Sequence, residues 1–370
     1  MLPLLALLAP CLVLGGGRLL AQGVAVAPPA QSKAGIRICA GGDVTLGTNL
    51  DTSWAIRASR AARRSIPALP RPDRLLAPLV PLLRDADVVL VNVEGAIGSG
   101  PAARVKCRED SRNCYALRQP PAAARALRGL ARHGAVVGNL ANNHSRDAGP
   151  EGLEETTRLL SAAGVHTTGV DTLATPVVTA RGDTVAFLGF SPFGGPDPRD
   201  LAGVRRIVSR AAQQYPRLVV TMHMGAEGRA AQRTPDSTEI YLEEHRGNPV
   251  AFARAAVESG AGLVVGHGPH VMRAMEWQSD ALIAYSLGNL VTYGPFSLHP
   301  PLDRGGILCA TLDARGRVLD AQLRPTRQRY PGLVSHDHTS RAVVLVDSLS
   351  RLDFPSTGAR LVVEAGVRRP

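Results

Sequence analysis

Five short apolar runs in this chain each end on a side chain able to hold a metal ion. No other feature limits the fold as much. The runs stop at Asp43, at Glu94, at Asn143-His144, at His223, and at His267 with His270 close behind. Each has the length and the Val, Leu, Ile and Ala content of a buried strand. Helix-like segments lie between several of them, and that alternation reads as an α/β fold. In open α/β sheets the carboxyl ends of the strands gather at one edge, where ligands bind. Side chains far apart in sequence then meet at one point. Gly lies within two residues of Asp43, Glu94, His223 and His267, which lets the backbone approach a small central object.

The stretch from Ala135 to Gly149 shows the pattern in full. Ala135, Val136 and Val137 form a strand. Pro150 then opens an amphipathic helix marked by Leu153, Thr156, Thr157 and Leu160, with proline at its first position. Between them lie Asn139, Asn142, Asn143, His144 and Asp147. Asn is also common in turns because it tolerates left-handed backbone. Taken alone, the stretch has both readings; the other four strand ends favour the metal.

The rest follows in order. Strands are expected over 36–39, 88–91, 177–179 with 185–189 as a hairpin, 218–221, 263–265, 281–285, 306–312 and 318–323, and a short one begins at 164–165. Helices are expected over 73–83, 121–132, 201–213 and 249–259, and 228–248 reads as a polar loop. Residues 1–21 are an apolar run followed by small residues and read as a secretory signal cut after Ala21. Residues 22–34 read as a linker, 35–325 as the folded domain, and 326–370 as a loosely packed tail that returns to the body near 342–346. Export places the protein outside the cytoplasm: periplasmic, secreted or attached to the envelope. Cys11 belongs to the signal and fits a lipidation site only loosely. Cys39 and Cys309 sit in apolar runs and read as buried thiols. Cys107 and Cys114 flank a polar loop and read as a disulfide; the rival, a zinc knuckle, lacks a second pair of ligands nearby.

Hydrophobic residues make up 45% and charged residues 20%, an ordinary globular balance. The net charge of +11 comes almost wholly from Arg, since Lys33 and Lys106 are the lysines. Those Arg are scattered with few aromatics among them, so a nucleic-acid groove is not expected, whereas an anionic polymer or phosphoester is. No Gly-x4-Gly-Lys-Ser/Thr loop is present, which argues against a nucleotide-driven ligase. Carboxylate, amide oxygen and imidazole together suit Zn, Mn or Fe rather than an all-thiolate structural site.

Six segments, in order, resemble the motif series of the CapA family of capsule-synthesis or poly-γ-glutamate-synthesis proteins. They are Gly42-Asp43-Val44, Asn92-Val93-Glu94-Gly95, Asn142-Asn143-His144-Ser145-Arg146-Asp147, His223-Met224-Gly225-Ala226-Glu227, Gly266-His267-Gly268-Pro269-His270-Val271 and Tyr285-Ser286-Leu287-Gly288-Asn289. The resemblance implies a calcineurin-like metallophosphoesterase fold: two mixed β-sheets packed face to face with helices outside, a four-layer αββα sandwich. It also implies that Asp43, Glu94, Asn143, His223, His267 and His270 hold two divalent cations (Mn, Fe or Zn), with His144 beside them. The chain departs from the wider superfamily in two places. Thr45 stands where a ligating His is usual, and His267 and His270 are separated by two residues rather than one.

On that reading Glu94 bridges the cations, with Asp43 and His270 on one and Asn143, His223 and His267 on the other. His144 either donates a proton to the leaving group or orients Asn143 and substrate. Asp147 and Glu227 fix the tautomers of imidazoles, and Asn142 and Asn92 support the ligands; Asn92 shares a strand face with Glu94. Arg229 and Arg233 follow the His223 motif and suit bidentate binding of an anionic substrate, though each also reads as a solvated surface charge. The expected function is metal-dependent hydrolysis linked to capsule or poly-γ-glutamate synthesis, alongside capsule machinery at the envelope. The rivals are a non-catalytic envelope role and attack on a γ-glutamyl amide.

Overall fold

A computed structural model describes residues 35–47, 70–100, 115–294, 296–363 and 366–370. The expected signal, the linker, and Cys107 with Cys114 lie outside the described residues. Among the described residues no helix is long and apolar enough to cross a membrane.

Two mixed sheets carry the fold. The strands of the first are β1 (Ile36–Thr45), β2 (Val88–Val93), β3 (Ala135–Asn139) and β4 (Val165–Thr168). In the second are β5 (Thr175–Val178), β6 (Thr184–Phe190), β7 (Leu218–His223), β8 (Leu263–His267), β9 (Met275–Gln278) and β10 (Ala281–Ala284). The chain then returns to the first sheet with β11 (Asn289–Thr292), β12 (Arg304–Leu312), β13 (Val318–Arg329) and β14 (Leu333–His336). The first sheet has the order β14-β13-β12-β1-β2-β3-β4, with β11 also pairing β1, and the second has β9-β10-β8-β7-β6-β5. β1 to β4 run parallel, as do β6, β7, β8 and β10, so the carboxyl ends within each set lie together.

Period-two alternation builds three cores. Ile36, Ile38, Ala40, Val88, Leu90 and Val137 face Phe187, Val219, Leu263 and Val265 across the space between the sheets. The alternate residues Cys39, Val89, Val91, Val93 and Val136 pack outward on α1 (Pro72–Leu76), α2 (Ala122–Arg128) and α3 (Gly149–Ala162). Leu188, Val220 and Val264 pack on α4 (Leu201–Gln214) and α5 (Pro249–Glu258). The result is the four-layer αββα arrangement.

Several expectations change in detail. The helix read over 73–83 becomes 3-10 from Ala77 to Leu83, with Pro81 inside it; a proline ring has no N–H to donate and crowds the preceding turn. The polar loop 228–248 contains a hairpin, Glu239–Tyr241 with Glu244–Gly247, turned through Leu242 (φ 48°) and Glu243 (φ 66°). Such a turn normally announces itself with Asn or Gly, and neither is present here. The C-terminal region beyond 325 is not loose. α6 (Arg341–Asp353) buries Ala342, Val343 and Val346 in the core between the sheets, together with Leu361 and Val367.

Cys39 and Cys309 are not separate thiols. β1 and β12 pair antiparallel with these two residues directly opposite, and their sulfurs are bonded. The link spans 270 residues of sequence, so it restrains a long stretch of the unfolded chain. Replacing both cysteines by Ala should lower stability by about 2–4 kcal/mol. Denaturant unfolding of the variant, and of the parent with and without reductant, measures this; identical midpoints in all three would exclude the bond.

Candidate metal centre

The site forms where the alternation of the inner core runs on past the hydrophobic residues. On β7 the inward series Val219, Thr221 ends at His223, and on β8 the series Leu263, Val265 ends at His267. These two histidines are partners in the parallel register. On β2 the inward series Val88, Leu90 reaches Asn92, and on β3 Val137 leads to Asn139, which pairs with Asn92. Asp43 breaks the count, since it lies three residues after Ala40. A bulge corrects it: Ala40 pairs with Leu90 and Asp43 with Asn92, so β1 carries one extra residue and Asp43 turns to the inner face. Gly42 lies within the bulge; a Cβ there would meet the Gly288 carbonyl oxygen at 1.8 Å, so only glycine fits.

The side chains meet in a buried cluster. Asp43 Oδ1 accepts from Asn92 Nδ2 at 2.8 Å and lies 3.7 Å from His267 Nδ1. Asp43 Oδ2 is 3.0 Å from His270 Nδ1, which is also 3.0 Å from Asn289 Oδ1. Glu94 Oε1 lies 3.7 Å from His270 Nε2 and 3.9 Å from His223 Nε2. Asp43, Glu94 and His270 present ligand atoms all within 4.8 Å of one another. His270 reaches this position with φ 59°, a left-handed conformation uncommon for a residue with a Cβ and typical of functional sites. Gly268 packs against the His223 ring, where a Cβ would stand 3.2 Å from Nε2.

Around the ligands runs a network of amides. Asn92 Nδ2 touches both Asp43 and His223 Nδ1, the latter at 3.1 Å, and Asn92 Oδ1 accepts from Asn139 at 2.9 Å and Asn142 at 3.1 Å. Thr45 takes no part as a ligand: its hydroxyl donates to the Glu94 carbonyl oxygen at 2.7 Å and so fixes the backbone that presents Glu94. Asn142 Oδ1 accepts from the His144 backbone N–H, and His144 Nδ1 lies 2.6 Å from Asp147 Oδ2. Asn143 sits between them on the loop after β3. Glu227 pairs with Arg246 at 2.7 Å. Arg229 is exposed, and Arg233 is bound to Asp353 on α6.

Sequence reasoning gave no role to Asn139 and Asn289, though both stand in the segments singled out, and passed over Arg246. Asn139 and Asn289 were legible in principle, as polar residues at the boundary of apolar runs. Arg246 had no local mark.

Burial dominates the electrostatics. It pushes His223 well below the usual imidazole value, and it pulls His267 down to about 4 against the opposing charge of Asp43. Both rings are therefore neutral at pH 7, as metal ligands must be. Burial would raise Asp43, but the hydrogen bond and charge of His270, helped by His267 and His223, hold it below the usual carboxylate range. Glu94 goes the other way, raised by burial and by the neighbouring charges of Asp43, Glu227 and Asp147, despite His270. Burial alone would lower His270; the charges of Glu94, Asp43 and Glu227 and the hydrogen bond to Asp43 raise it.

The cluster fits a divalent cation. Glu94 Oε1, His223 Nε2 and both ring nitrogens of His267 are buried without a hydrogen-bond partner among the described residues. Each unmatched buried polar atom costs about 1–3 kcal/mol, and several together are rare in a native protein. A cation coordinated by them satisfies the set, and carboxylate with imidazole is the donor chemistry of Zn, Mn or Fe.

Comparisons with known proteins give relatives, structural neighbours and a family. The PGA biosynthesis protein CapA of Bacillus subtilis is 27% identical over 173 residues, 42% of this chain and 42% of that protein. The capsule biosynthesis protein CapA of Bacillus anthracis is 28% identical over 178 residues, 43% of this chain and 40% of its own length. The chain thus matches about two fifths of the length of each relative. A crystal structure described as a novel phosphatase from Mycoplasma pneumoniae is 10% identical with a TM-score of 0.45, covering 83% of this chain and 96% of that one. The profile of the family described as "Bacterial capsule synthesis protein PGA_cap" matches residues 37–293. That span runs from β1 through β11 and contains every side chain of the metal cluster, and by this match the chain belongs to the bacterial capsule synthesis family.

Proposed function

We propose that this protein is an exported, metal-dependent hydrolase of the phosphoesterase type that acts on an anionic substrate during capsule or poly-γ-glutamate synthesis. The observation that carries the reading is the cluster of Asp43, Glu94, His223, His267 and His270, whose buried atoms converge with several left unmatched. The apolar residues 1–21 and the Cys39–Cys309 disulfide support export to an oxidising compartment, periplasmic, secreted or envelope-attached. The partners that fit are an anionic polymer or phosphoester and the envelope machinery that handles it.

The residues divide the work. Asp43, Glu94 and His270 would hold one divalent cation, and His223, His267, Asn143 and Glu94 would hold a second. Such cations supply Lewis-acid stabilisation of the substrate's oxyanion and activate water at neutral pH. Asn92 orients both halves of the ligand set through Asp43 and His223. His144 delivers a proton to the leaving group. With Nδ1 turned to Asp147 at 2.6 Å, that transfer runs through Nε2. Arg229, exposed in the loop after His223, would bind substrate anions; Arg233, bound to Asp353, is less available for that contact.

Replacing His223 by Ala should remove bound metal and lower phosphodiester hydrolysis by about 100-fold or more. Elemental analysis and an assay on the same preparations check this, and full retention of both would exclude the hydrolase reading. A γ-glutamyl peptide run in parallel separates amide from phosphoester chemistry, and metal without turnover on either would mark a non-catalytic role.

Binding should also release protons. Glu94 and His270 keep theirs to higher pH than an ordinary carboxylate and imidazole do, through burial of Glu94 and the carboxylates around His270, and must lose them to coordinate a cation. Affinity for Mn²⁺ should therefore rise with pH and keep rising above about 7.5, where an ordinary imidazole of pKa about 6.5 has largely lost its proton. Calorimetry in buffers of different ionisation enthalpy counts the released protons; a pH-independent affinity would contradict the charge assignment.

A further inference from the structure

Glu227 belongs neither to the ligand set nor to the proton path above, yet it lies beside the ligand His270. It stands on the loop after β7, with Oε1 accepting from Arg246 Nη1 at 2.7 Å and Oε2 lying 3.7 Å from His270 Nε2. Glu94 Oε1 is at 3.7 Å from the same nitrogen, and Asp43 Oδ2 is 3.0 Å from the other nitrogen of the ring. Three carboxylates thus surround one imidazole. Acidic neighbours alone make no site. Here, however, Glu94 Oε1 and His223 Nε2 are deeply buried, point toward one another at 3.9 Å, and have no hydrogen-bond partner among the described residues.

The fold goes to some length to hold this carboxylate in place. Arg246 is 4% exposed, with its guanidinium 4.4 Å from the ring centroid of Phe193 and 5.3 Å from that of Tyr241. Its other arm pairs with Glu244 at 2.7 Å. The adjoining backbone is clamped as well. Ala226 N–H donates to Glu239 Oε2 at 2.8 Å, and fully buried Arg273 grips both oxygens of Glu239 at 2.7 Å. Arg273 also donates to the Ala226 carbonyl oxygen at 3.2 Å. Neutralising Arg246 does not by itself require Glu227, because Glu244 is already paired with it. What Glu227 adds is an oxygen aimed at His270.

We propose that Glu227 Oε2 is a fourth donor to the divalent cation held by Asp43, Glu94 and His270, with Arg246 as its positioning residue. The inference rests on the reading of this cluster as a metal centre. A carboxylate oxygen suits the same cations as the other three donors. It also explains why a third carboxyl group is kept beside two others, where carboxylates otherwise repel.

Titration of the full-length protein with Mn²⁺ alone, followed by calorimetry, tests this on the parent and on Glu227→Ala, Glu227→Gln and Glu227→Asp. Glu227→Ala should weaken one Mn²⁺ site by about 10–100-fold. Glu227→Asp keeps the charge but withdraws the oxygen by one methylene, and should weaken that site similarly. Glu227→Gln has the same shape as the parent and serves if the Ala variant does not fold. Parent-like Mn²⁺ affinity in Glu227→Ala, or in Glu227→Gln if that variant has to serve, overturns the proposal and leaves the metal centre standing. So does parent-like affinity in Glu227→Asp beside a weakened Ala variant, since the charge and not the contact would then matter. Failure of the parent itself to bind Mn²⁺ overturns the centre and this donor together.

Discussion

One amide ties the two halves of the centre together. Asn92 Nδ2 lies 2.8 Å from Asp43 of the first sheet and 3.1 Å from His223 of the second, while its oxygen is held by Asn139 and Asn142. Four amide and carboxylate groups are thus fixed beyond the end of the hydrophobic core between the sheets. In such surroundings each polar group must be matched, because the low dielectric makes an unmatched one expensive. The network satisfies the outer atoms of the ligands and leaves the inner ones, Glu94 Oε1, His223 Nε2 and the nitrogens of His267, facing inward.

The same packing explains the spread of proton affinities. His223 and His267 are pressed toward the neutral state by burial, while His270, partly exposed and flanked by carboxylates, is pressed toward the charged one. Rings of the same chemistry are therefore sorted by position. Close approach of the backbone makes this possible. Gly42 abuts Gly288, and Gly268 abuts the His223 ring; a Cβ at either place would push the ligands apart. Around this centre the family match covers residues 37–293, and the segment that follows still contributes core residues through β12, β13 and α6.

How much of this could be read beforehand differs from residue to residue. The strands ending at His223 and His267 were visible because an apolar run followed by a His stands out, and their inward direction follows from counting by twos. Asp43 lay outside that count; the bulge that turns it inward depends on how β1 pairs with β2, a nonlocal fact. The hairpin over 239–247 escaped notice because its turn uses Leu242 and Glu243, rather than Asn or Gly, in left-handed conformations. The Cys39–Cys309 bond was missed for a similar reason. Nothing near either cysteine reveals that β12, far along the chain, lies beside β1.

The sequence by itself determined the α/β alternation, the strand ends and the chemical kind of each ligand, because these depend on local hydrophobic period and residue type. Tertiary structure alone decided which ligands touch, that Thr45 supports Glu94 through its hydroxyl, and that Arg246 and Arg273 clamp the loop bearing Glu227. Those are contacts between residues distant in the chain, and their distances are set by how two sheets pack, a quantity that no single segment carries.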